Sequence, residues 1–123
     1  NAKGEAIYRV SRKADHLTIY DAQANYLYRL SISAKRYSLK KGDKVIYELS
    51  IKNSQATLYD ASRSTIAKVI FYPDSKKHKI KDANHRETLS YKMTSANYGG
   101  AFLMANTLPL KIRLILLNEL LNG

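Results

Sequence analysis

Cysteine and tryptophan are absent from the 123 residues, and phenylalanine, methionine and proline occur twice each. Without cysteine there is neither a disulfide framework nor a thiolate zinc site, although an oxidising compartment stays compatible with the composition. Acidic residues are also few: ten Asp and Glu stand against 21 Lys and Arg, a formal net charge of +11. That imbalance points to acidic partners, among them anionic lipid head groups, acidic glycans and nucleic acid. The exception to the aromatic poverty is tyrosine, with ten residues, which suits strands having one apolar face and a wet rim. The length fits one domain, 1–123, with a core of its own. The chain begins at Asn1 without Met, so a processed or trimmed product whose targeting signal is out of view is expected.

An internal repeat of roughly twenty residues organises the chain. Ile19–Ser31 reads IYDAQANYLYRLS, Ser38–Ser50 SLKKGDKVIYELS, Leu58–Ile70 LYDASRSTIAKVI and Ile80–Met93 IKDANHRETLSYKM, with a half copy, EAIYRVS, from Glu5. Asp21-Ala22, Asp60-Ala61 and Asp82-Ala83 mark one position in three copies. An Asp there can accept bonds from the backbone just beyond it and start a turn, and Lys41-Gly42-Asp43-Lys44 supplies the glycine a tight turn prefers. Each copy is therefore a β-hairpin, over residues 5–93. Alternation gives the faces. Tyr8/Val10, Leu17/Ile19, Tyr28/Leu30/Ile32, Tyr37/Leu39, Tyr47/Leu49/Ile51, Ala56/Leu58, Ala67/Val69/Phe71, His78/Ile80 and Leu89/Tyr91/Met93 fall inside. Arg9, Arg29, Arg36, Lys40, Glu48, Lys68, Lys77, Lys79, Lys81 and Lys92 fall outside. Leu27, Ile46 and Ile66 break the pattern just after the turns, as either a satellite cluster or a dimer contact.

Residues 98–122 form the helical part, with Ser95–Gly100 as the break before it and Gly99-Gly100 as a hinge. Leu108–Leu121, LPLKIRLILLNELL, is the most apolar stretch of the chain. At about 100° per residue, Leu110, Ile112, Leu114, Leu116, Leu117, Leu120 and Leu121 cover most of the circumference, which calls for burial on nearly every side. Thr107 is the expected N-cap, Pro109 belongs to the first turn, and Asn122-Gly123 is a stop. Ala101–Leu121 is about long enough to span a bilayer, but Asn106, Lys111, Arg113 and Glu119 argue against it. The fold expected is mainly β: an antiparallel meander of about nine strands curled into a barrel around a buried C-terminal α-helix, which removes both free edges and covers the apolar face.

Tandem hairpins with an Asp at each turn, YDA between strands in Ile19–Leu30 and Leu58–Val69, and the terminal LPLKIRLILLNELL resemble the tubby-like and LURP-one-related proteins, with which phospholipid scramblases are grouped. The resemblance covers Glu5 to Leu121. It implies a closed barrel threaded by the C-terminal helix, and basic surface residues that bind phosphoinositide head groups. The family's barrel usually has twelve strands, so about nine either leave a gap or close a smaller one. The chain is also similar to small bacterial exported or lipid-anchored hairpin proteins, which implies the periplasm or cell envelope.

The densest cations are Lys76, Lys77, Lys79 and Lys81, with Arg86 after the turn; Lys35, Arg36, Lys40, Lys41 and Lys44 form a second group, and Arg12 and Lys13 a third. Hairpin packing is expected to bring such groups together for phosphate-rich ligands, against the plainer reading of a solvated outer face. His16, His78 and His85 lie in separate hairpins without metal-ligand spacing, and His78 reads as a hydrogen-bonded core residue. No serine sits in a nucleophile elbow, so neither cofactor nor catalysis is expected. A module for anionic lipid or another polyanion leads; a structural domain with a protein partner comes second and nucleic-acid binding third.

Overall fold

The computed structural model describes residues 7–122. The strands are β1 (Tyr8–Arg12), β2 (His16–Asp21), β3 (Tyr26–Ile32), β4 (Arg36–Lys41), β5 (Lys44–Lys52), β6 (Gln55–Asp60), β7 (Thr65–Tyr72), β8 (Lys77–Asp82) and β9 (Glu87–Lys92). They form one antiparallel sheet in sequence order. A 3-10 segment, Gly99–Met104, and one α-helix, α1 (Leu110–Asn122), follow. The expected alternation holds through the middle of the sheet: Leu17, Ile19, Leu30, Leu39, Leu49, Leu58, Ala67, Val69, His78 and Ile80 are all buried on the inner face.

The three YDA-type turns are built alike. The Oδ1 of Asp21 accepts from the N–H of Gln23 and Asn25, both at 2.9 Å. Asp60 does the same with Ser62 and Ser64, and Asp82 with Asn84 and Arg86. Each turn then passes through the left-handed region, at Ala24 (φ 65°), Arg63 (φ 67°) and His85 (φ 65°), and the fourth hairpin does so at Gly42 (φ 62°). A bulge follows in all four hairpins. Its extra residue is Leu27, Ile46 or Ile66 in the first three, and these side chains pack against the core. The inserted residue lets two consecutive side chains lean to one face. The expectation of an outer cluster or dimer contact at these positions is therefore corrected.

The sheet does not close. β1 and β9 end the strand order and are not paired with one another. Each bonds the C-terminal segment instead. On one side the Arg12 guanidinium donates to the Glu119 carbonyl at 2.7 Å. On the other the Tyr91 hydroxyl donates to the Asn97 carbonyl. The expected barrel is thus an open sheet, with the helical layer spanning its gap.

The 3-10 segment packs on β6, β7 and β8, and α1 packs against it. Ile112, Leu116 and Leu120 are buried at helical spacing, with Phe102, Ala101, Ala105 and Leu108 beside them. Leu117 and Leu121 are half-buried. Leu110 and Leu114 are 58% and 49% exposed, so placing them in the core is corrected: an open sheet covers one side of the helix, not its whole girth. The helix starts later than expected, with Pro109 just outside it. Thr107 is not its cap; its hydroxyl lies 2.6 Å from that of Tyr47. Gly99 and Gly100 are buried close-approach positions, not a hinge. A Cβ on Gly99 would lie 2.6 Å from Leu120 Cβ, and one on Gly100 2.6 Å from the Tyr91 ring. The expected stop at Gly123 falls outside the described residues.

Two outcomes follow for stability. Leu116→Asp places an unpaired carboxylate in the core, costing several kcal/mol against a total of about 5–15, and should abolish the cooperative melt; Leu114→Asp should shift stability by less than about 1 kcal/mol. Ala24→Gly should raise stability by about 1 kcal/mol in urea titration by relieving left-handed strain, and Gly42→Ala should lower it comparably.

Candidate anion-binding face

Strand alternation turns one row of side chains from every strand to the outer, convex face. On β8 these are Lys77, Lys79 and Lys81, on either side of buried His78 and Ile80. Register then sets cations directly opposite one another: Lys68 on β7 faces Lys81, Lys77 faces Lys92 on β9, and Arg29 on β3 faces Lys40 on β4. Paired positions in a sheet hold their Cβ atoms about 4.5–5.5 Å apart, where like charges destabilise.

Some of this charge is neutralised within the fold. Glu48 accepts from Arg36 and from Arg63, both at 3.2 Å, and Glu87 lies 3.4 Å from the Lys79 ammonium. Among the described residues Lys68, Lys77, Lys81 and Lys92 have no carboxylate partner. Two depressions lie nearby, the second of them reaching Lys68. One of about 750 Å³ lies at the sheet end between Lys35, Arg36, Ser50, Lys52 and Asn53. The other, about 360 Å³, shares Ser50, Lys52 and Asn53 and continues over Gln55, Thr57 and Tyr59 to Lys68. A polar, cation-rimmed track thus crosses from β4 to Lys68 of β7, which faces Lys81 of β8.

The two cationic runs expected from sequence are each divided by the meander, which places successive turns at opposite ends of the sheet. Lys76, in the β7–β8 turn, and Arg36 lie toward one end; Arg86, Lys40, Lys41 and Lys44 lie toward the other. Lys77, Lys79 and Lys81 stay together along β8. Arg12 serves the fold, since a guanidinium on the last carbonyls of a helix suits its dipole. Lys52 was not legible as a site residue, because only the groove shows it beside Lys68 and Arg36. The outward tyrosines are partly capped: Lys79 Nζ lies 5.5 Å from the Tyr72 ring centroid, and the Arg63 guanidinium 5.4 Å from that of Tyr59. Among the described residues no group of three or more His, Asp or Glu is placed to hold a metal ion, and no helix is long and apolar enough to cross a membrane.

The inner face carries one titratable group of consequence. His78 is fully buried. Its Nε2 accepts the Asn97 N–H at 2.9 Å, so the ring proton sits on Nδ1, which has no hydrogen-bond partner. Tyr91 stacks on the ring at 4.6 Å between centroids, and burial pushes the Tyr91 hydroxyl up to about 12. Desolvation holds His78 below its ordinary 6.5, although the carbonyls of Tyr91 and Lys76 favour the charged form. His78 thereby anchors the turn that leads into the helical layer.

No protein-family model matches the chain, and no curated protein matches it.

Because His78 is neutral when folded and gains a proton more readily when unfolded, its contribution is complete above the ordinary 6.5 and is lost as pH falls from there toward the lower folded value. Urea midpoints between about pH 5 and 8 should show this slope. His78→Phe should flatten it, while costing about 1–3 kcal/mol at the alkaline end by stranding the Asn97 N–H.

Proposed function

We propose that the chain is a non-enzymatic module that binds anionic surfaces, anionic lipid first, through the convex face of β4 to β9. The observation that carries this is the set of directly opposed cations, Lys68 with Lys81 and Lys77 with Lys92. Such pairs weaken the sheet in isolation and are relieved when phosphates lie across them. The net charge of +11 acts in the same direction at longer range. Nucleic acid is less well served. Bases stack on open aromatic faces, and Tyr59 and Tyr72 have cations over their rings. An exported bacterial protein facing a membrane or envelope polymer fits this reading.

The test is co-sedimentation with vesicles containing phosphatidylserine and with purely zwitterionic vesicles. Binding is expected to the first alone and to fade as salt rises through about 0.1–1 M. Each of Lys77→Gln and Lys81→Gln should weaken it roughly fivefold, following about 1 kcal/mol per cation near the surface. Lys77→Gln, whose partners across the sheet are Lys92 and the uncharged Tyr72, should at the same time raise folding stability by about 0.2–1 kcal/mol. Equal binding to both vesicle types, or a loss of stability in Lys77→Gln, would remove the proposal.

A further inference from the structure

The second exposed feature lies at the other end of the strand order, at the free edge of β1. The Lys13 N–H donates to the His16 carbonyl at 2.8 Å. Alternation along the ladder makes Ser11 and Arg9 the next β1 residues bonded to β2, opposite Thr18 and Tyr20. The main-chain N–H and C=O groups of Tyr8, Val10 and Arg12 consequently point away from β2, where the sheet order ends.

Helix α1 runs beside this edge. At one end Lys111 Nζ lies 5.7 Å from the Tyr8 ring centroid, and at the other Arg12 holds the Glu119 carbonyl at 2.7 Å. Between these anchors Val10 is 38% exposed and Leu114 49%; Leu110 and Ile7 extend the apolar strip at the Tyr8 end. The convex side of the same edge bears Arg9, for which no carboxylate among the described residues is a partner. The opposite edge is less suited to pairing. Leu89 is exposed there too, but β9 carries the bulge next to Glu87, and bulges discourage edge pairing. β1 has an unbroken register.

We infer that the β1 edge, floored by α1, is a docking groove for an extended peptide in which apolar and acidic residues alternate. Such a peptide adds a strand to the sheet. Its main chain satisfies Tyr8, Val10 and Arg12, its apolar side chains cover Val10 and Leu114, and its carboxylates stand on the convex side by Arg9. Charge complementarity selects this occupant over a second copy, which would bring another +11 to the same edge. The inference is independent of the anionic-surface reading, which uses other strands.

The probe is a short synthetic peptide alternating valine and glutamate, compared with a block-shuffled peptide of the same composition and with a valine–lysine version. Amide exchange at Tyr8, Val10 and Arg12 should slow at least tenfold with the first peptide and remain unchanged with the other two. Val10→Pro removes an outward donor while leaving the β2 ladder intact, and should weaken binding tenfold or more. Arg9→Glu, on the exposed face, should shift preference to the valine–lysine peptide, which keeps the idea testable if the proline variant folds poorly. Lys77→Gln with Lys81→Gln should bind the alternating peptide as the parent does. Equal affinity for the shuffled peptide, protection confined to β7–β9, or unaltered binding by Val10→Pro and Arg9→Glu would overturn the inference. So would a peptide-free dimer protected at β1, which would make the second copy the occupant.

Discussion

The sheet depends on the cover over its concave face. Nine strands in a row bury nothing by themselves on that side, and Leu30, Leu39, Leu49 and Leu58 would all meet water. Phe102 and Leu108, with Ile112, Leu116 and Leu120, exclude it. The cover is held by polar contacts at its margins as well as by burial. Arg12 and Asn97 bond the carbonyls of Glu119 and Leu120, and Tyr47 meets Thr107 before the helix begins. Gly99 and Gly100 let that layer approach closely, because any side chain there would strike Leu120 or Tyr91. Position and tightness therefore come from a few specific groups, and most of the energy from apolar area.

Much of the strand layer was legible in the residues. The Asp-Ala repeats announced their turns because one carboxylate oxygen can satisfy two backbone donors in the next few residues, a purely local effect. Period-two alternation gave the inner face for the same reason: it is set by the pleat and not by distant contacts. Two things escaped. The bulges that bring Leu27, Ile46 and Ile66 onto the core depend on pairing across the hairpin, so strict alternation placed them outside. Closure could not be read either, because whether β1 meets β9 depends on how far the sheet curls around what lies inside it. An apolar helix suggested complete enclosure, yet Leu110 and Leu114 face out.

The cationic face was legible in composition and only partly in location. Runs such as Lys76 to Lys81 appear dense along the chain, but alternation and turns send neighbours to different faces and ends. What brings Lys68 to Lys81, and Lys77 to Lys92, is register between strands, a property of pairs of segments. Conversely, Arg12 looked like surface charge and is a fastener for α1. Counting charge finds an electrostatic sign; pairing is needed to find a site.

The meander also bears on how the chain is made. Each strand pairs with the one just synthesised, so hairpins can form early, with little loop entropy to overcome. The helix that shields them is encoded after the last strand. At about 5–20 residues per second, translation of the segment after Lys92 takes on the order of a few seconds. During that interval a nascent sheet has its greasy face bare, so the chain's most aggregation-prone moment falls between the making of its last strand and the making of its helix.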